Sequence, residues 1–324
     1  MPNRSRRKVV LVTGCPRSGT TAIGEVLSRA PGCQYLYEPM NFASGDAIIG
    51  RYFEVPGSAS FPHDVFDSLV DRIGSLKLDL KPGHFQSDTR LYKIAKTFVG
   101  GRSRQSLWRC RLHPGLETII WKDPIAASAA IAAAERHDIP VLVTVRPVHA
   151  IAASFKRMGW GFDVKPIHDD LVALGLIEPL DLPFACENLS AINGAMLSVV
   201  LYTALLNATK RLPQIRFVAV DDIINAPHAS YRAIFDWLGL GFSKTVTGAI
   251  DEMYKDRPTR QAVPTGGRAH SRTHNVGGVN QYWRRVLTGD EIQQVDQIAN
   301  RLDHALLTPF SLAPAPMEDV AAGG

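Results

Sequence analysis

Residues Gly14 to Thr21 read Gly-Cys-Pro-Arg-Ser-Gly-Thr-Thr, between the apolar run Val9–Val12 and an amphipathic helical pattern. A strand, a glycine-bearing turn and a helix start, in that order, aim backbone N–H groups and a helix N-terminus at one point, which makes an anion site. The chemistry it can serve is narrowed by a substitution. In loops of the form GxxxxGK[ST], a lysine reaches the β- and γ-phosphates and the hydroxyl holds magnesium. Here Gly14 and Gly19 keep the spacing, Thr20 stands at the lysine position, and the cation has moved back to Arg17. The loop suits a smaller or differently charged group than a metal-bound triphosphate.

Further charged residues close other apolar runs. Arg146 follows the β-branched run Pro140–Val145, and Ser154 falls eight residues later on the next helical pattern, so both can meet one tetrahedral anion. A guanidinium fork matches phosphate geometry; the other reading of Arg146 is a surface ion pair. Glu38 ends the short run Gln34–Tyr37. A carboxylate at a strand end can take the proton of an attacking hydroxyl, or it can cap a helix or pair with Arg17.

The loop Pro16-Arg17-Ser18-Gly19-Thr20-Thr21 resembles the 5'-phosphosulfate loop of sulfotransferases that use 3'-phosphoadenosine 5'-phosphosulfate (PAPS). Leu36-Tyr37-Glu38-Pro39 is similar to the corresponding stretch of galactose and N-acetylglucosamine 6-O-sulfotransferases, and its glutamate resembles the catalytic glutamate of tyrosylprotein sulfotransferases. The resemblance implies that Arg17, Ser18, Gly19, Thr20 and Thr21 surround the donor's 5'-phosphate and sulfate, with Arg17 also catalytic in stabilising the equatorial and leaving oxygens, and that Arg146 and Ser154 hold its ribose 3'-phosphate. It implies a catalytic base in Glu38. In Trp121-Lys122-Asp123-Pro124 it implies a lysine, Lys122, approaching the oxygen that bridges phosphate and sulfate; pairing with Asp123 or Glu38 is the structural alternative. It also implies a basic, glycine-bearing loop, His270 to Gly278, closed by Trp283, in which Ser271 and Arg272 contact the nucleotide and Ser271 assists catalysis.

The implied reaction is sulfuryl transfer from PAPS, in line, to a hydroxyl acceptor, with a carbohydrate or glycoconjugate favoured, without a metal. Small-molecule sulfotransferases use a histidine base after a Lys-Thr step; here Lys96-Thr97-Phe98 is followed by no histidine, which disfavours that version. The competing readings are a P-loop kinase or other phosphotransferase, and a nucleotide-binding protein without catalysis.

Several elements must position these residues. Strand-like runs at Lys8–Thr13, Gln34–Tyr37, Glu117–Trp121, Pro140–Val145 and Ile215–Val220 alternate with helical patterns. That alternation predicts a single α/β domain over 1–310, its central parallel sheet flanked by helices and its ligands at the carboxyl ends of the strands. Residues 40–115 and 160–187 read as irregular insertions forming an acceptor pocket, with a weak helical pattern at Val65 to Leu76. Residues 311–324 read as a disordered tail. A length of 324 residues, 45% hydrophobic and 21% charged, is ordinary for a globular chain. The +5 net charge is dispersed along the chain, which favours anionic small ligands over nucleic acid. Four cysteines without a CxxC pair imply a reduced, cytoplasmic setting. The apolar run after the basic start is too short for an anchor, so the chain resembles a bacterial member more than the Golgi-anchored animal enzymes. Oligomeric state is left open.

Overall fold

The computed structural model describes residues 7–82, 101–255 and 282–302. The chain runs β1 (Lys8–Thr13), α1 (Thr20–Leu27), β2 (Cys33–Tyr37), α2 (His63–Ser75), α3 (Arg102–Leu112) and β3 (Thr118–Lys122). It continues through a 3-10 turn (Ile125–Ala129), α4 (Ala130–His137), β4 (Val141–Val145), α5 (Val148–Met158) and α6 (Val164–Ala173). After α7 (Ser190–Thr209) come β5 (Ile215–Ala219), α8 (Val220–Asn225), α9 (Pro227–Leu238), α10 (Lys244–Tyr254), α11 (Trp283–Val286) and α12 (Gly289–Ala299).

The strands form one five-stranded sheet in the order β2-β3-β1-β4-β5, and every pairing is parallel. Val10, Leu11 and Val12 are inaccessible to solvent, as expected of strands covered by helices on both faces. Because the strands run the same way, their carboxyl ends share one edge. Lys122 closes β3 in register with Tyr37 on one side and Val12 on the other. The groups following β1, β2, β3 and β4 are thereby brought to a common rim.

Two apolar clusters lie on opposite faces of the sheet, one containing Leu11, Ile119 and Val143 and the other Val10, Ile120 and Leu142. The alternation follows from the two-residue period of a strand. In the first, α5 packs along α7. Gly194 permits the approach, since a Cβ there would stand 2.7 Å from Cγ of Phe155. Helix α7 is long and apolar enough to cross a membrane, but it lies buried in the core.

The stretch 40–82 is not merely an insertion beside the site, because Phe53, Val55, Phe61, Phe66, Leu69 and Ile73 are buried in the first cluster. Its sequence hides this: short turns break the apolar residues into groups without a sustained period before α2. Residues 160–187 likewise contain α6, with Val164, Ile167 and Leu171 buried. Pro166 lies in its first turn, where no intrahelical N–H bond is required.

Candidate active site

The loop after β1 is shaped by backbone approach. Gly14 has φ 143°, and a Cβ there would stand 2.4 Å from the Thr144 carbonyl oxygen and 2.7 Å from Ser18 Oγ. Arg17 adopts a left-handed φ of 76°, a conformation that costs a non-glycine residue about 1–3 kcal/mol and clusters at functional sites. Helix α1 opens at Thr20 behind Gly19, with no side chain capping it. The first N–H groups of a helix have no intrahelical acceptor, so those of Thr20 and Thr21 suit an anion. Ser18 serves differently from the expectation. It is fully buried, its hydroxyl hydrogen-bonds Thr144 Oγ1 at 2.5 Å, and its amide donates to the Cys15 carbonyl. It holds the loop onto β4.

Arg17 Nε donates to Ser154 Oγ at 2.9 Å, and Arg146 Nη1 donates to the Arg17 carbonyl at 3.1 Å. Residues from three places in the sequence thus meet at one point. Burial lowers the Arg17 pKa, and the neighbouring charge of Arg157 lowers it further. Burial, with Arg17 as a further cause, pushes Arg146 down to about 10. Guanidiniums crowded and desolvated in this way favour a bound anion, which would relieve both penalties. Tyr282 stands against the cluster, its ring centroid 5.7 Å from both Arg146 Cζ and Arg157 Cζ. The Arg157 Nε is buried with no hydrogen-bond partner among the described residues.

At the β2 and β3 ends, Lys122 Nζ lies 2.5 Å from Glu38 Oε1, and Asn41 Nδ2 donates to Oε2 at 2.9 Å. Glu38 is 8% exposed and Lys122 2%, so the pair is nearly dry. Burial alone would raise the Glu38 pKa; Lys122, Asn41 and Tyr37 outweigh it and hold the group below its ordinary value. Lys122 Nζ also sits 4.6 Å from the centroid of Tyr37. Glu38, like Arg17, is left-handed, with φ 46°. The alternative pairing of Glu38 with Arg17 is not what forms.

Asp123, read from the sequence only as a pairing alternative for Lys122, fixes this corner. Its carboxylate is fully buried and accepts from the Met40 amide at 2.6 Å, the Ile125 amide at 3.0 Å and Trp121 Nε1 at 3.4 Å. Burial and the nearby Glu38 charge push it up to about 7. The sequence gives no sign of the contacts made here by Tyr37, Arg157 and Tyr282, because these form across the fold; the adjacency of Tyr37 to Glu38 is the one local signal. Ser271 and Arg272, with the His270 to Gly278 loop and Lys96-Thr97-Phe98, lie outside the described residues. Among the described residues no cluster of His, Cys, Asp and Glu could hold a metal ion.

No protein-family model and no curated protein matches the chain. Among solved structures it is similar to the sulfotransferase domain of the curacin biosynthetic pathway, at 13% identity and a TM-score of 0.44, covering 91% of this chain and 97% of that one. The sulfotransferase domain of the Synechococcus olefin synthase aligns at 13% identity and a TM-score of 0.42, covering 92% and 97%. A sulfotransferase from Mycobacterium avium aligns at 11% identity and a TM-score of 0.41, covering 92% and 77%. Overlap this loose assigns no residue a role.

Proposed function

We propose that the chain is a sulfotransferase that moves the sulfuryl group of PAPS in line to a hydroxyl acceptor. The observation that carries this reading is one rim holding two different devices. The first is the crowded Arg17–Ser154–Arg146 cluster, and the second is the buried Glu38–Lys122 pair two strands away in the order β2-β3-β1-β4. The first suits the phosphates of a nucleotide, and the second suits proton removal and charge neutralisation.

The donor supplies an activated sulfuryl group; the remaining work belongs to the protein. The amides of Thr20 and Thr21 and the Arg17 guanidinium would hold the 5' end, with Arg146 and Ser154 at the 3'-phosphate. Lys122, Asn41 and Tyr37 hydrogen-bond the Glu38 carboxylate, which has about four lone-pair sites. One therefore remains for the acceptor's O–H. When Glu38 takes that proton its charge is lost, and Lys122 is left with uncompensated positive charge at the moment negative charge grows on the leaving phosphate. Stabilisation that appears only then lowers the barrier rather than merely tightening binding. For the acceptor, the resemblance of Leu36–Pro39 implies a carbohydrate.

The reading is tested by heat denaturation and calorimetry. Adenosine 3',5'-bisphosphate is expected to bind and raise the melting temperature, by about 2.7 kcal/mol of stability at a hundredfold excess over its dissociation constant, while magnesium-ATP leaves it unchanged. Stabilisation by magnesium-ATP alone would instead indicate a phosphotransferase. Bisphosphate binding without turnover of any hydroxyl would indicate a binding protein.

A further inference from the structure

We propose that helix α3 is a docking surface for an anionic lipid bilayer, its exposed apolar ridge entering the membrane surface while arginines on either flank meet the headgroups. The docking is independent of the sulfuryl-transfer reading, since it uses none of the residues assigned there.

The two most exposed large apolar side chains among the described residues, Leu112 at 74% and Trp108 at 57%, both belong to α3. Four positions apart, they lie on the same side of the helix. At about 100° per residue, Arg104 and Arg111 fall on one flank of this ridge and Arg102 and Arg109 on the other, while the opposite face is buried. No carboxylate occurs on the helix. Arg7 extends the basic zone. Its Nη1 donates to the Gly74 carbonyl at 3.4 Å, close in sequence to the Leu76 carbonyl that Arg111 holds through Nε at 3.0 Å and Nη2 at 2.8 Å.

The needs of the helix itself do not explain this arrangement. Cations suit a C-terminal turn, as Arg109 and Arg111 do, but they oppose the helix dipole in the first turn, where Arg102 and Arg104 stand. Nor can the helix rotate its ridge inward. Ser106 Oγ accepts from the Tyr37 amide at 2.9 Å, Ser103 Oγ donates to Ser44 Oγ at 3.2 Å, and the Cys110 thiol donates to the Tyr35 carbonyl at 3.6 Å. The buried face is pinned to β2 and its neighbours, so Trp108 and Leu112 are held outward.

Charge selects the occupant. A second copy of the same face would set arginines against arginines. An anionic bilayer is complementary in both respects, because tryptophan and leucine settle at the boundary between headgroups and acyl chains while arginines reach back to the lipid phosphates along their apolar stems.

The test is co-sedimentation of the full chain with vesicles of equal parts phosphatidylglycerol and phosphatidylcholine, compared with vesicles of phosphatidylcholine alone. The mixed vesicles are expected to bind the protein, progressively less as salt is raised, and the neutral ones to leave it in solution. Arg109→Gln is expected to weaken binding about 5-fold and Leu112→Asn roughly 5- to 30-fold. Both side chains are exposed, so the melting temperature is expected to hold in each variant. Full affinity in either variant overturns the proposal, as does equal binding to neutral vesicles or binding to neither kind. Polyglutamate bound by the chain in place of vesicles would assign the face to an acidic polypeptide and overturn it as well.

Discussion

The ammonium of Lys122 and the carboxylate of Glu38 face each other at 2.5 Å in a nearly dry corner, from residues that lie 84 positions apart in the chain. The pair fixes the sign of a pH effect. Burial raises the Glu38 pKa and Lys122 brings it below the ordinary value, so the acid limb of the wild-type kcat/KM profile is expected below about pH 4.3. Lys122→Met leaves burial opposed only by the Asn41 and Tyr37 hydrogen bonds, and the limb is expected to move to higher pH. A limb that stays in place would show that Glu38 is not the titrating base.

Arg146 and Ser154 predict donor selectivity. Removing a guanidinium from a charged hydrogen bond costs about 1.5–3 kcal/mol, so Arg146→Ala is expected to weaken adenosine 3',5'-bisphosphate by roughly 10- to 150-fold. Adenosine 5'-monophosphate, which lacks the 3'-phosphate, is expected to lose much less. Equal losses for both nucleotides in calorimetry would move Arg146 away from the 3' end.

Asp123 predicts a stability curve. Its folded pKa is raised to about 7, against about 3.9 when unfolded, so between those values the folded state binds more protons. Its contribution therefore weakens stability as pH rises from about 4 to 7. Asp123→Ala leaves the buried Met40 and Ile125 amides without their acceptor, at about 1–3 kcal/mol each. Urea unfolding at pH 5 and pH 7.5 should show wild-type stability falling over that interval from this residue, and the variant both less stable and flatter with pH.

Gly14→Ala tests the loop. The added methyl carbon would stand 2.4 Å from a backbone oxygen at a φ of 143°, and neither can shift without moving β1 against β4. A loss of about 2–4 kcal/mol in urea unfolding is expected, together with loss of bisphosphate binding. Unchanged stability would mean that the loop backbone is freer than its packing implies.

Much of this was legible in the sequence wherever the signal was local. The apolar run at Lys8–Thr13 became β1 with the same bounds, and the alternation of strands and helices became a parallel sheet. The spacing of Arg146 and Ser154 does bring them to the same cluster through Arg17. What escaped depends on distant contacts. The Glu38–Lys122 pair was one of several open alternatives, and the pairing of Asp123 with the Met40 amide has no sequence pattern at all. The core role of Phe53 and Phe66 was hidden by turns, and α6 by a proline in its first turn. The ring contact between Tyr52 and Phe162 likewise joins residues that no periodicity connects.

The strand order has one more consequence. With β3 and β1 standing between β2 and β4, the Glu38 and Arg146 corners are three interstrand steps apart, about 14 Å at the usual spacing. Backbone hydrogen bonding sets that interval, so it acts as a built-in gauge that side-chain substitutions cannot stretch. It also makes the two ends separable. Under the sulfuryl-transfer reading proposed above, substitutions at the β2 end would alter acceptor handling while the proposed nucleotide contacts, carried after β1 and β4, keep their places.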